Sequence, residues 1–161
     1  MKKVDIIGIG AINFDYIFSS KRTDVINQKK SNMDDGDESF VKEHVFKENF
    51  LKVQRHSEFI QTQVGGSALL ALKTLKSMCP QLCTAYVGTY GRIPEYAYGK
   101  DLPQTVDELE NCFSSFIDES AWLFKDVNDI TGCSLVNLHK RHRQFINIVP
   151  GSNNGLLSNI K

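Results

Sequence analysis

Nowhere does this chain hold an apolar run approaching the roughly 18 residues that cross a bilayer as a helix. The nearest thing to a leader is Lys2-Lys3 followed by apolar residues, but Asp5 interrupts that run and Asn13 and Asp15 close it before any small-residue cleavage site. Charge of one sign is also lacking, since 19 Lys and Arg balance 19 Asp and Glu. Nucleic-acid binding through bulk electrostatics calls for a basic excess, so that class is set aside. Cysteine is sparse and unpatterned: Cys79, Cys83, Cys112 and Cys133 form no C-x-x-C pair and read as reduced thiols. The expectation is a soluble cytoplasmic protein with neither nucleic acid nor membrane as partner.

What is present fits one ordinary globular domain: 161 residues, 41% hydrophobic and 24% charged. Its organising stretch is Thr62-Gln63-Val64-Gly65-Gly66-Ser67-Ala68-Leu69-Leu70. Adjacent glycines permit positive φ and let another group approach where a Cβ would clash. Good helix formers follow from Ser67 to Met78. Extended segment, glycine turn and helix N-terminus together aim unpaired N–H groups at whatever lies above the glycines. Two readings stand at this point, a seat for a polar or anionic small molecule and a plain strand-to-helix connection.

Upstream, Val4-Asp5-Ile6-Ile7-Gly8-Ile9 suits a buried strand. Gly8-Ile9-Gly10 does not open a dinucleotide site, because that fingerprint must begin a helix. Ile12 to Phe18 alternates instead, as a second strand does, with Asn13 and Asp15 on one face. A carboxylate beside an amide can hold vicinal hydroxyls; it can equally be a solvent-facing polar edge. The polar stretch from Ser19 to about Asp37 reads as a mobile loop, and its Asp34-Asp35-Gly36-Asp37 cluster lacks the spacing of a calcium loop. Weak alternation over Phe40–Phe50 and Phe59–Val64 suggests further strands beside Tyr16, in a small sheet apart from the main core.

Downstream, the pattern predicts a helix over Ala68–Met78 ended by Pro80, a strand over Thr84–Gly91 and a helix over Thr105–Phe116. Strand, glycine turn, helix, strand is the α/β unit of a parallel sheet. Ala121–Val127 is another short apolar run, and the segments from Cys133 and Gln144 form a hairpin about His139-Lys140-Arg141-His142-Arg143. His139 and His142 have no third ligand nearby, so they read as surface residues and no metal site is expected.

The order Gly8-x-Gly10-x-x-Asn13-x-Asp15, Val64-Gly65-Gly66-Ser67-Ala68, Tyr86-Val87-Gly88-x-x-Gly91 resembles the start of the PfkB/ribokinase family of sugar and nucleoside kinases. Thr131-Gly132-Cys133-Ser134-Leu135-Val136 and Ile148-Val149-Pro150-Gly151-Ser152-Asn153 resemble its mid-region. The resemblance implies an α/β, ribokinase-like fold over residues 1–161. It would have a partial parallel sheet, flanking helices and a small β lid within 12–64 and 133–149. It also implies transfer of the γ-phosphoryl of ATP, with Mg2+, to a hydroxyl of a sugar or nucleoside. Carried over, Asn13 and Asp15 would hold substrate hydroxyls, and Gly65, Gly66 and Ser67 would meet substrate at the hinge of the lid.

Departures accompany the likeness. Leu70 stands where the family usually has an asparagine, and Arg92-Ile93-Pro94 replaces an acidic residue after Gly91. The family's glycine-rich turn ending in the base aspartate would lie beyond Lys161, so no catalytic residue is assigned and most of the nucleotide site is expected outside this chain. The reading is therefore the substrate-binding and lid half of such a kinase, inactive alone and binding neither ATP nor Mg2+ by itself. The alternative is a non-catalytic relative serving as a ligand-binding or assembly module. An exposed sheet edge or the lid would favour a homo-oligomer.

Overall fold

The computed structural model describes residues 3–19, 40–96, 102–139 and 142–155. The loop proposed for 19–37, with its Asp cluster, and the basic tip Lys140-Arg141 lie almost wholly outside them, as do the side chains of His139 and His142. Seven strands and three helices are described: β1 (Ile6–Ile9), β2 (Asn13–Ser19), α1 (Glu43–His56), β3 (Glu58–Gly65), α2 (Ser67–Met78), β4 (Thr84–Arg92), α3 (Val106–Ser114), β5 (Leu123–Ile130), β6 (Gly132–His139) and β7 (His142–Val149). A 3-10 turn over Gly151–Gly155 follows. None of the described helices is long and apolar enough to cross a membrane.

The strands form two sheets. One is parallel, in the order β1-β4-β5. In the other, ordered β3-β2-β6-β7, β2 and β6 run parallel while β3 and β7 are antiparallel to their neighbours. The second sheet is not apart from the core, contrary to expectation. Phe14, Tyr16 and Phe18 of β2 join one apolar cluster with Tyr86 and Tyr90 of β4 and Leu109 and Phe113 of α3.

Two further expectations are corrected. Residues 43–56 form a helix where alternation suggested a strand, because Phe46, Phe50 and Val53 fall on one helical stripe and are buried to 1% exposure or less. That stripe packs rings against β2: Phe50 lies 5.2 Å from Tyr16 and 5.6 Å from Phe18, both edge-on. Second, the strand entering the glycine turn (β3) and the strand leaving α2 (β4) belong to different sheets. Helix α2 thus links the two sheets instead of crossing over within one, and the parallel pairing of β4 is with β1.

Strand β1 is also less enclosed than a buried strand. Ile7 is 48% and Ile9 62% exposed, on the outer strand of the described parallel sheet. Its other face seats the Tyr86 ring, which lies so close to Gly8 and Gly88 that a Cβ at either would collide with it. The Gly8-x-Gly10 pattern therefore makes room for an aromatic ring, and the second strand follows in place of a helix.

The two layers are pinned at the sheet's far end by Asp118. Its Oδ2 accepts from Thr84 N at 2.8 Å, Thr84 Oγ1 at 2.9 Å and Lys76 Nζ at 2.7 Å, joining α2, β4 and the segment after α3. The Lys76 contact, with help from Thr84, holds the Asp118 carboxyl down at about 2. Depression of this kind stabilises the fold above the carboxyl's ordinary value near 4, and the stability is lost as pH falls through about 2. Because the side chain is 35% exposed, screening cuts the contribution to roughly 1 kcal/mol. Asp118→Ala should lower stability by about that amount at pH 7, with the deficit shrinking between about pH 4 and pH 2. Urea melts of both proteins across that range check it.

Candidate functional site

The site begins where β2 begins. Asn13 pairs with Gly65 of β3 on one side and Gly132 of β6 on the other, and Asp15 pairs with Gln63 and Ser134. Cross-strand partners share a face, so Asn13, Asp15, Gln63 and Ser134 gather on one side of the sheet. Asp15 is 6% exposed. Its carboxylate accepts from Ser134 Oγ through a very short hydrogen bond and from Gln63 Nε2 at 3.5 Å. A buried carboxylate needs such donors to offset desolvation.

The two glycines have separate reasons to be glycine. A Cβ on Gly65 would run into the Asp15 carboxylate. Gly66 sits at φ 118°, where side chains are strained, and a Cβ there would meet the Ala11 carbonyl oxygen. Gly66 is also the residue before α2: its carbonyl accepts the Leu70 N–H at 2.9 Å, and no side chain caps the first turn. The leading amides of α2 therefore lack intrahelical partners and open beside Ser67 and Ala68.

The facing wall comes from the 3-10 turn. Asn153 Oδ1 accepts from Ile12 N at 3.0 Å, while its Nδ2 approaches Ile12 O at 3.1 Å, Pro150 O at 2.9 Å and Asn13 Oδ1 at 3.0 Å. With its oxygen engaged by Asn153, the Asn13 amide keeps its NH2 for another partner. Tyr86, its phenol pushed up to about 12 by burial, stays neutral and donates to Ala11 O at 3.2 Å. Both contacts fix the short link between β1 and β2.

Between these walls lies a cleft of about 480 Å³. Asn13, Asp15, Gly66 and Ser67 line it, and Gly65 sits directly behind Asp15. All five residues singled out in the sequence thus meet in one place. Leu70, which stands where the resembled family usually has an asparagine, lines the cleft alongside Phe40 and Ile148. Sequence reasoning missed Ser134, Asn153 and Phe40 as site residues. Ser134 and Asn153 stood inside the quoted mid-region segments; Phe40 gave no signal beyond weak alternation.

Chemically, the cleft offers a carboxylate as acceptor, amide and backbone N–H groups as donors, and an apolar flank. It offers no nucleophilic thiol: Cys133 is buried, and burial pushes its pKa far up. Among the described residues no group of three or more His, Cys, Asp or Glu could hold a metal ion.

No family model matches the sequence, and no curated protein matches it. Solved structures do. Adenosine kinase of Anopheles gambiae superposes with a TM-score of 0.68 at 14% identity, over 96% of this chain and 41% of that one. A fructokinase of Halothermothrix orenii gives 0.57 at 14%, over 95% and 40%. The nucleoside kinase of Methanocaldococcus jannaschii, an archaeal member of the ribokinase family, gives 0.53 at 12%, over 93% and 38%. The fold is ribokinase-like. In that ribokinase-like frame the chain spans about two fifths of the length of the kinases it resembles, so it corresponds to part of their domain.

The turn at Gly66 is the point of least tolerance. Gly66→Ala should cost about 1–3 kcal/mol through φ strain and the Ala11 clash, and thermal melting measures it. An unchanged melting temperature would contradict the geometry. Asn153→Ala removes the brace on Asn13 and should lower stability by about 1–3 kcal/mol through the amides left unpaired.

Proposed function

We propose that this chain is the substrate-binding and lid portion of a carbohydrate kinase. In this reading Asp15 accepts from a hydroxyl of a sugar or nucleoside, the Asn13 NH2 donates to a neighbouring oxygen, and the amides at Ser67 complete the grip. The observation that carries it is the convergence of Asn13, Asp15, Gly66 and Ser67 on one cleft. The ribokinase-like fold agrees with it, since the compared structures are kinases of adenosine, fructose and nucleosides. The lid would comprise strands of the β3-β2-β6-β7 sheet, which edge the cleft; closing over substrate would exclude water from the hydroxyl that reacts.

ATP with Mg2+ would supply the phosphoryl group in such a reaction. The described residues do not fit a magnesium site, because one cleft carboxylate and no cluster of further ligands is present. Accordingly no step is drawn through the metal or nucleotide, and the proposal is that this chain alone binds substrate without turning over ATP. Calorimetric titration with pentoses, hexoses, sugar acids and nucleosides tests the binding. At least one class should bind, and Asp15→Ala should weaken it roughly ten- to hundredfold, the worth of a charge-assisted hydrogen bond. Heat from no ligand would favour a non-catalytic assembly module. Robust ATP turnover by the chain would refute the division of labour. The outer position of β1, with Ile7 and Ile9 exposed, adds self-association to the proposal; a clean monomer in light scattering at high concentration would contradict that part alone.

A further inference from the structure

An aspartate ends in a torsion between a tetrahedral and a planar carbon, and that torsion has no sharply preferred value. The plane of the Asp15 carboxylate is therefore set by its neighbours. On the β6 side its Oδ1 accepts the very short hydrogen bond from Ser134 Oγ. On the β3 side its Oδ2 occupies the room that a Cβ on Gly65 would take, and Gln63 Nε2 reaches it only at 3.5 Å. The carboxylate thus lies crosswise to β2, one oxygen toward each flanking strand. Of these two donors Ser134 is the stiffer. It is 1% exposed, carries its oxygen on one rotatable bond, and sits on β6 between β2 and β7. Gln63 is half-buried on the outer strand β3, and its longer side chain loses more rotamer entropy when held.

Resting on the polyol-binding reading of the same cleft, we propose that Ser134 is the positioning residue for Asp15. Its hydroxyl turns the carboxylate plane to the angle at which a ligand hydroxyl can donate to it. Hydrogen bonds to an ionised acceptor are the shorter and stronger ones in proteins, so this single bond dominates the orientation. Without it the plane of the carboxylate is less well fixed, and the ligand must bear an ordering cost that the fold otherwise meets in advance. That cost falls on ligand affinity, and only while Asp15 is there to be ordered. Ser134 is thus distinguished from a residue that merely fills space beside the cleft.

Calorimetric titration of ribose, fructose, gluconate and adenosine identifies the tightest of the four for the intact chain, and that probe is carried through the variants. Ser134→Ala should weaken it roughly three- to tenfold, the cost of ordering one side chain. Ser134→Thr keeps the hydroxyl and should lose under about twofold, while Ser134→Cys, a weaker donor, should fall between the two. Gln63→Ala should lose less than Ser134→Ala. On an Asp15→Ala background Ser134→Ala should cost nothing further, a coupling that general loosening of the sheet does not produce. Should Ser134→Ala fail to fold by circular dichroism, the order of serine, threonine and cysteine carries the test. Ser134→Ala binding as the intact chain does, alanine and threonine losing alike, or the full loss persisting without Asp15 overturns this inference and leaves the polyol site standing. No heat from any of the four probes overturns both.

Discussion

The structure depends on a carboxylate held over a residue that has no side chain. Asp15 sits on β2, between Gln63 of β3 and Ser134 of β6, and its oxygens occupy the space that a Cβ at position 65 would need. Every other feature of the cleft follows from that crowding. The chain reaches Gly65 as an edge strand, turns through the positive φ of Gly66, and so begins α2 in the cleft that Asp15 also lines. A buried acid on a strand would ordinarily be a liability. Here the donors of Ser134 and Gln63 hold it in place and the cleft gives it an outlet.

Positioning is shared between segments far apart in sequence. The 3-10 turn after β7 reaches back 140 residues, so that Asn153 braces Asn13, and Tyr86 from β4 fixes Ala11. The core supports the same corner, because Phe14 and Tyr16, flanking Asp15, point into the aromatic cluster against α1. Strand alternation therefore does two jobs at once: odd positions 13 and 15 face the cleft, even positions 14 and 16 face the core.

Much of this was legible because it is local. The alternation of Ile12–Phe18, the glycine pair and the helical run after it are written in consecutive residues, and the structure places them as read. The failures are all of range. Phe46, Phe50 and Val53 have a helical spacing that only the rings of Tyr16 and Phe18 give a reason to honour. Which strands pair is likewise set at a distance: β3 and β4 flank the same helix yet join different sheets. Phe40 earns its place only by its bridge to Ile148, which no local pattern announces.

The exposure pattern divides the apolar surface into two kinds. Ile7 and Ile9 lie on an outer strand of a parallel sheet, an architecture whose strands are normally covered on both faces. Phe40 is different. Its backbone bridges Ile148, which pairs with Ser134, so it continues the sheet face that carries Ser134 and Asp15 and lines a concavity of ligand size. Bare surface beside a free sheet edge argues for protein; bare surface lining a concavity with a carboxylate and an amide argues for a small molecule.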